Sequence, residues 1–247
     1  MTLPPYHWWR TVFFLIPAIT IYTCVLGTIS LAASLVERQG RTAHRCARWW
    51  SRAILWTTGV TIQRQGVPPP AGTSCIFVAN HSSFYDIPIL FTAVPGQLRI
   101  VAKAPLGRVP FIGWHLQRAG HLLVDRTNPG ASVLKKMQRM AAQGASVIVF
   151  PEGSRTPDGR VMKFKGGVFL LAVDTGLPIV PISIAGSRRI MPRGRLMACP
   201  GAVMVTVHDP IPTAGLRRED ARGLAERAQT IIGDGLVFHG TAASGDR

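Results

Sequence analysis

The stretch SCIFVANHSSFYDIPIL, residues 74–90, passes from an apolar run into a polar cluster and back into an apolar run. A strand over 74–80 that turns at His81 and enters a helix near Ser83 accounts for that pattern. The same alternation recurs along the chain. Apolar runs at 98–104, 121–126, 146–152, 177–186 and 202–208 are further predicted strands. Helical periods fall near 84–93, 111–118, 131–143, 166–175 and 218–233. Strands that are apolar almost throughout are buried on both faces. The expected fold class is therefore α/β, a mostly parallel or mixed sheet covered by helices. In such sheets ligands bind at the strand ends, where loops converge. The polar loops NHSSFYD, VDRTN and FPEGSRTPDG each follow a predicted strand.

The first of these loops sets His81 five positions before Asp86. On one regular helix that separation turns the side chains roughly 140° apart, so they cannot meet. They meet if the chain turns at His81 before the helix begins. An aspartate accepting from one imidazole nitrogen would leave the other as a base in a fixed tautomer. The competing reading is a cap, because Ser83-x-x-Asp86 has the serine-to-acid spacing of a helix start. Capping explains Ser83 and Asp86 but leaves the histidine at the mouth of the sheet without a role. Ser82 and Ser83 lack a G-x-S-x-G elbow and read as turn and cap residues rather than nucleophiles.

The loop FPEGSRTPDG adds an acid, a glycine and an arginine. Gly153 permits close approach of a ligand to the backbone, Arg155 can grip a phosphate with two donors, and Glu152 can accept from a substrate hydroxyl. TPDG at 156–159 is ordinary turn chemistry. Arg126 ends another strand, where Asp125–Arg126 also reads as a surface pair. Lys103, Lys163 and Lys165 stand on neighbouring strand ends and loops. Taken singly, each has a plain reading as a solvated charge. Gathered on one sheet edge beside a candidate base, they favour a phosphate-bearing substrate.

Composition agrees with an anionic partner. The chain has 28 Lys and Arg against 12 Asp and Glu, a net charge of +16. Charge alone admits nucleic acid, a membrane surface or a phosphorylated small molecule. A mean hydropathy of +0.22 speaks against a nucleic-acid binder. The four cysteines, Cys24, Cys46, Cys75 and Cys199, form no C-x-x-C pair, so neither a zinc site nor a disulfide framework is expected.

Residues 11–36 carry no charge. As a helix they would span about 39 Å, enough for a bilayer core of about 30 Å. Pro17 is expected to kink it. A cleaved signal peptide competes, but the run exceeds a usual signal core and only Arg10 precedes it. After it, Arg41, Arg45, Arg48 and Arg52 fall on one helical stripe, beside Trp49, Trp50 and Trp56, as suits a lipid headgroup layer. Five arginines (Arg38 to Arg52) after the run place its C-terminal side in the cytoplasm. The expected organisation is a membrane helix plus basic interfacial helix at 1–65, an α/β domain at 66–238 and a tail at 239–247.

The blocks NHSSFYD (80–86), GHLLVDR (120–126), FPEGSR (150–155) and LPIVPI (177–182) resemble the ordered motifs of the glycerolipid acyltransferases over roughly residues 74–210. That resemblance implies that His81 is the base and Asp86 its orienter. It implies that Arg126, Glu152, Gly153 and Arg155 hold a glycerol phosphate, with Lys103 as a further basic residue. The implied reaction moves an acyl group from acyl-CoA or acyl-carrier protein to the 2-hydroxyl of lysophosphatidic acid. It implies no metal, no cofactor beyond that thioester and no nucleic acid. An inner (cytoplasmic) membrane site with the domain facing the cytoplasm goes with it. Departures are small: Ser154 where threonine is more common, and Leu122 and Leu123 where Phe or Ile is usual. Three other readings stay open: an acyltransferase for another lyso-lipid such as lyso-ornithine lipid, a membrane-anchored phosphoesterase, and a non-catalytic basic membrane binder.

Overall fold

The structure, a computed structural model, describes residues 5–37, 39–124 and 131–242, and of 131–132 and 238–242 the backbone alone. The predicted Arg126 and the rest of VDRTN beyond Val124 lie outside the described residues, as does the tail beyond residue 242.

The chain opens with a long helix, α1 (Tyr6–Ala33). Its turn Thr11–Leu15, just before Pro17, is wound as a π-helix. Proline removes a donor and crowds the carbonyl four residues earlier, and the widened turn absorbs both effects. The helix is long and apolar enough to cross a membrane, yet it is fastened to the body along its length. Arg10 Nη2 donates to Thr57 O and Thr58 O at 2.8 Å, and Thr11 Oγ1 accepts from Ala198 N at 2.8 Å. Trp50 Nε1 donates to Thr23 Oγ1 at 2.9 Å, and Ser30 Oγ pairs with His115 Nδ1 at 2.7 Å. The opposite face leaves Phe13, Phe14, Ile21, Val25 and Ile29 exposed.

A second helix, α2 (Arg41–Thr58), runs between Gly40 and Gly59, both in the left-handed region. Glu37 caps it by accepting from Arg41 N and Thr42 N. Arg41, Arg45 and Arg52 are exposed as the stripe predicts, with Trp49 and Trp56 beside them. Arg48 is different. It turns inward, donating to Val94 O and, at 3.1 Å, to His44 Nε2. It is therefore an anchor to the body rather than a headgroup contact. His44 on the inner face of α2, Arg99 and His121 are buried together, with the half-buried His115 beside them. Arg99 reaches Gln39 O at 2.9 Å and so ties the α1–α2 turn to the sheet. Burial, with Arg48 and Arg99 nearby, lowers His44 to about 4, and burial with Arg99 lowers His115 to about 4.

Among the described residues seven strands form one sheet in the order β1-β7-β6-β2-β5-β3-β4. They are β1 (Val60–Gln65), β2 (Ile76–Ala79), β3 (Gln97–Lys103), β4 (Leu122–Val124), β5 (Ala145–Val149), β6 (Ile179–Ala185) and β7 (Gly201–Val207). β6 and β7 pair antiparallel, and the other pairs are parallel. Between them run α3 (Asp86–Ala93), α4 (Ile112–Arg118), α5 (Ala131–Ala142), α6 (Gly167–Thr175), the single turn α7 (Ser187–Ile190) and, last, α8 (Ala221–Ala242). Successive side chains of β2 divide between two cores. Phe77 and Ala79 join Ile54, Ile89 and Leu90 under α2 and α3, while Ile76 and Val78 join Met137, Phe169 and Leu224 under α5, α6 and α8. This two-sided burial is why the strands read as continuous apolar runs. β1 is absent from the predicted strands. Its sequence VTIQRQ is mostly polar because it is an edge strand, buried only at Val60.

Candidate active site

β2, β3, β5 and β6 point the same way, so the loops after them share one edge. Asn80 fastens that edge. Its Nδ2 donates to Ile184 O at 3.0 Å and its Oδ1 accepts from Ile184 N at 2.8 Å, extending the β2–β6 ladder through a side-chain amide. The chain then turns, and His81 Nδ1 meets Asp86 Oδ2 at 2.8 Å. The same Oδ2 accepts from Ser82 N at 2.7 Å and Ser83 N at 2.8 Å. One carboxylate thus holds both the imidazole and the backbone of the turn. The helix begins at Asp86 with Tyr85 in the N-cap position, so Ser83, which accepts from Tyr85 N at 3.2 Å, braces the turn rather than capping the helix. Asp86 is fully buried at the first turn of α3, while the His81 side chain keeps 17% of its surface exposed. Its ring stacks on Phe150, centroids 4.2 Å apart. With Nδ1 engaged, Nε2 is the nitrogen left for a reacting proton.

The loop after β5 clamps the backbone of His81 from both sides. Glu152 Oε1 accepts from His81 N at 2.7 Å, and Thr156 N donates to His81 O at 2.8 Å. Glu152 Oε2 accepts from Met162 N at 3.1 Å. Burial pushes the Glu152 carboxyl above its usual range, against the pull of those backbone donors. Both of its oxygens face backbone N–H groups, which makes it a positioning residue for the turn. Gly153 is left-handed, φ 82°, the conformation that lets the strand double back. The TPDG turn forms as well, with Thr156 Oγ1 on Asp158 Oδ1 and Gly159 N on Thr156 Oγ1.

Arg155 sits over Phe84, its guanidinium carbon 3.6 Å from the ring centroid. It is thereby held beside the His81 turn by a cation–π contact. Lys103 ends β3 at the same end of the sheet and is exposed, and Lys163 and Lys165, in the loop before α6, are exposed as well. Among the described residues no group of three or more His, Cys, Asp or Glu is placed to hold a metal ion. Asn80, Phe84 and Phe150 have structural roles in the site that the residue types did not announce. The hint for Asn80 is that an amide side chain copies a peptide group at a strand end.

An apolar cavity of about 410 Å³ opens beside this turn, between α1, α2 and α3. Phe84, Tyr85, Leu15, Ile19, Trp50 and Phe111 are among its walls.

The acyltransferase family model matches residues 60–185. The chain is similar to a chloroplastic 1-acyl-sn-glycerol-3-phosphate acyltransferase of Brassica napus, 34% identical over 206 residues, 80% of this chain and 59% of that protein. It is similar to the corresponding Arabidopsis thaliana enzyme, 37% identical over 68% of this chain and 48% of that one. The chain thus spans about half the length of these plant relatives. A lyso-ornithine lipid O-acyltransferase of Pseudomonas aeruginosa is 29% identical over 81% of each chain. Among solved structures, the 1-acyl-sn-glycerophosphate acyltransferase of Thermotoga maritima superposes with a TM-score of 0.66 at 25% identity, over 87% of this chain and 94% of that one. With the family model running from β1 through β6 and the His81–Asp86 pair inside it, this chain belongs to the acyltransferase family.

Proposed function

We propose that the protein transfers an acyl group from an acyl thioester to the 2-hydroxyl of 1-acyl-sn-glycerol-3-phosphate, forming phosphatidic acid. The observation that carries this reading is the His81–Asp86 contact, with Arg155 docked on Phe84 within the same turn. His81 Nε2 takes the proton of the acceptor hydroxyl as its oxygen attacks the thioester carbonyl. Asp86 stabilises the imidazolium through Nδ1–H. The tetrahedral intermediate expels the thiolate, which recovers the proton from the imidazolium and leaves as a free thiol. No covalent enzyme intermediate is needed, because the thiolate leaves readily and the alcohol is positioned. Arg155, Lys103 and Arg126 are assigned to the acceptor phosphate, with Glu152 and Gly153 shaping the loop that presents it. The apolar cavity suits a hydrocarbon chain.

The helix pair supports a membrane-associated protein, and its arginine excess favours the cytoplasmic face of the inner membrane. Because α1 is bonded to the body from Arg10 to Ser30, we read it as lying against one leaflet with Phe13, Phe14 and Ile21 toward lipid.

The test supplies acyl-CoA with lysophosphatidic acid and follows thiol release and phosphatidic acid together. Equal rates of both, lost in His81→Ala, are expected. Faster acylation of lyso-ornithine lipid would instead assign that acceptor. Phosphate release without thiol would replace the reaction class.

A further inference from the structure

The segment between β6 and β7 carries Arg188, Arg189, Arg193 and Arg195. With the ends of β2 and β6 it walls a second cavity, of about 630 Å³, lined by these four arginines together with Asn80, Ser82 and Gly186. Its floor lies where the chain leaves β2 toward β3 on one side and β6 toward β7 on the other. Divergence of that kind opens a ligand crevice outside the carboxyl ends of the strands. Arg188 Nη2 donates to Pro157 O and Arg193 Nη1 to Arg155 O, each at 2.9 Å, so two of the four are braced against the opposite loop. Among the described residues none of the four makes an ion pair. Arg155 is not part of this wall.

The two cavities share a partition. Met191, Leu196 and Ala198 face the apolar cavity, while Arg193, Arg195 and Cys199 face the basic one. The catalytic turn divides the same way, with Asn80 and Ser82 on the basic side and Phe84 and Tyr85 on the apolar side. His81 stands between them in the chain. Apolar walls on one side of the turn and clustered arginines on the other fit an acyl thioester of a phosphorylated carrier. The acceptor phosphate is assigned to Arg155, Lys103 and Arg126, of which Arg155 and Lys103 line neither cavity.

We propose that the cavity walled by Arg188, Arg189, Arg193 and Arg195 binds the phosphates of the nucleotide half of an acyl-CoA donor. This rests on the acyl-transfer reading and names its donor. A concave site of this volume falls in the range of small-molecule pockets, about 300–1,000 Å³, whereas a carrier protein would press on an open face. Guanidinium forks match phosphate oxygens in pairs.

The test uses the full-length protein in detergent and the double variant Arg189→Gln/Arg195→Gln, both sites being exposed. The KM for palmitoyl-CoA is expected to rise about tenfold or more, as loss of charged hydrogen bonds implies. The KM for lysophosphatidic acid and that for palmitoyl-pantetheine, which lacks the nucleotide, should stay unchanged. Calorimetric titration of 3′,5′-ADP should show binding to the wild type and at least a tenfold weakening in the variant, by the same loss. Since this binding needs no turnover, failure of the acceptor assignment and failure of the donor site are read separately. The proposal is overturned by an unchanged KM for palmitoyl-CoA, by an equal rise with palmitoyl-pantetheine, or by absence of 3′,5′-ADP binding. It is likewise overturned if the variant impairs only acyl-carrier protein as donor, or only binding to phosphatidylglycerol vesicles.

Discussion

Replacing Asp86 by Asn separates the two roles that one carboxylate performs. Asp86 Oδ2 accepts three hydrogen bonds, from His81 Nδ1, Ser82 N and Ser83 N, in a fully buried position. Asn keeps an oxygen at that point but removes the charge. A hydrogen bond to a charged group contributes about 1.5–3 kcal/mol and a neutral one about 0.5–1.5, so three bonds lose roughly 3 kcal/mol together. Asp86 Oδ1 is already buried without a partner among the described residues, so the new NH2 group replaces one unsatisfied atom with another. In a chain of this size about 3 kcal/mol lowers Tm by roughly 6–12 °C. Catalysis suffers separately, because the imidazolium formed as the hydroxyl proton is taken has lost its counter-charge. General-base catalysis is worth about 10²–10⁴-fold, and most of that should disappear from kcat. The assay pairs thermal unfolding in detergent with thiol release at saturating substrates, well below the variant's Tm. A folded Asp86→Asn protein with kcat within about threefold of wild type would refute the base assignment, since the full general-base contribution is at least about a hundredfold.

Arg155→Lys loses both the fork and the stacking on Phe84, so KM for lysophosphatidic acid should rise about tenfold while KM for acyl-CoA holds; steady-state kinetics with each substrate varied in turn decides it. Gly153→Ala forces a side chain into φ 82°; a loss of about 1–2 kcal/mol in unfolding free energy is expected, with reduced kcat because Glu152 and the His81 clamp shift with it. The buried His44 and half-buried His115, lowered from 6.5 to about 4, bind protons more tightly when unfolded. Their contribution is full above pH 6.5 and is lost as pH falls toward 4, on the order of 3 kcal/mol each, so unfolding midpoints measured from pH 7 to pH 4.5 should fall steeply. One molar salt should leave the protein in the sedimented membrane fraction, because the apolar face of α1 outweighs the exposed arginines of α2. Phe13→Glu/Phe14→Glu/Ile21→Glu should shift it toward the supernatant.

The α/β class, the His81–Asp86 contact and the turn chemistry of the FPEGSRTPDG loop were legible in the sequence for local reasons. Strands buried on both faces must be apolar throughout, and a strand-to-helix turn with a histidine and an acid at its ends spans only seven residues, 80–86. Periodicity and short-range spacing carry that information directly. The partners of these residues were not legible. That Glu152 holds the His81 backbone, that Phe84 supports Arg155 and that Asn80 splices β2 to β6 depend on contacts 71, 71 and 104 positions apart. The inward turn of Arg48 belongs to the same class, since an arginine stripe looks alike whether a carbonyl or a headgroup waits at its end. β1 escaped because an edge strand need not be apolar. The sequence could offer an uncharged run of membrane length at 11–36, but only the tertiary structure docked it along the body. Length and hydropathy describe a helix's affinity for lipid, whereas its hydrogen bonds to Thr57, Thr58, Ala198, Trp50 and His115 depend on where the rest of the chain has folded.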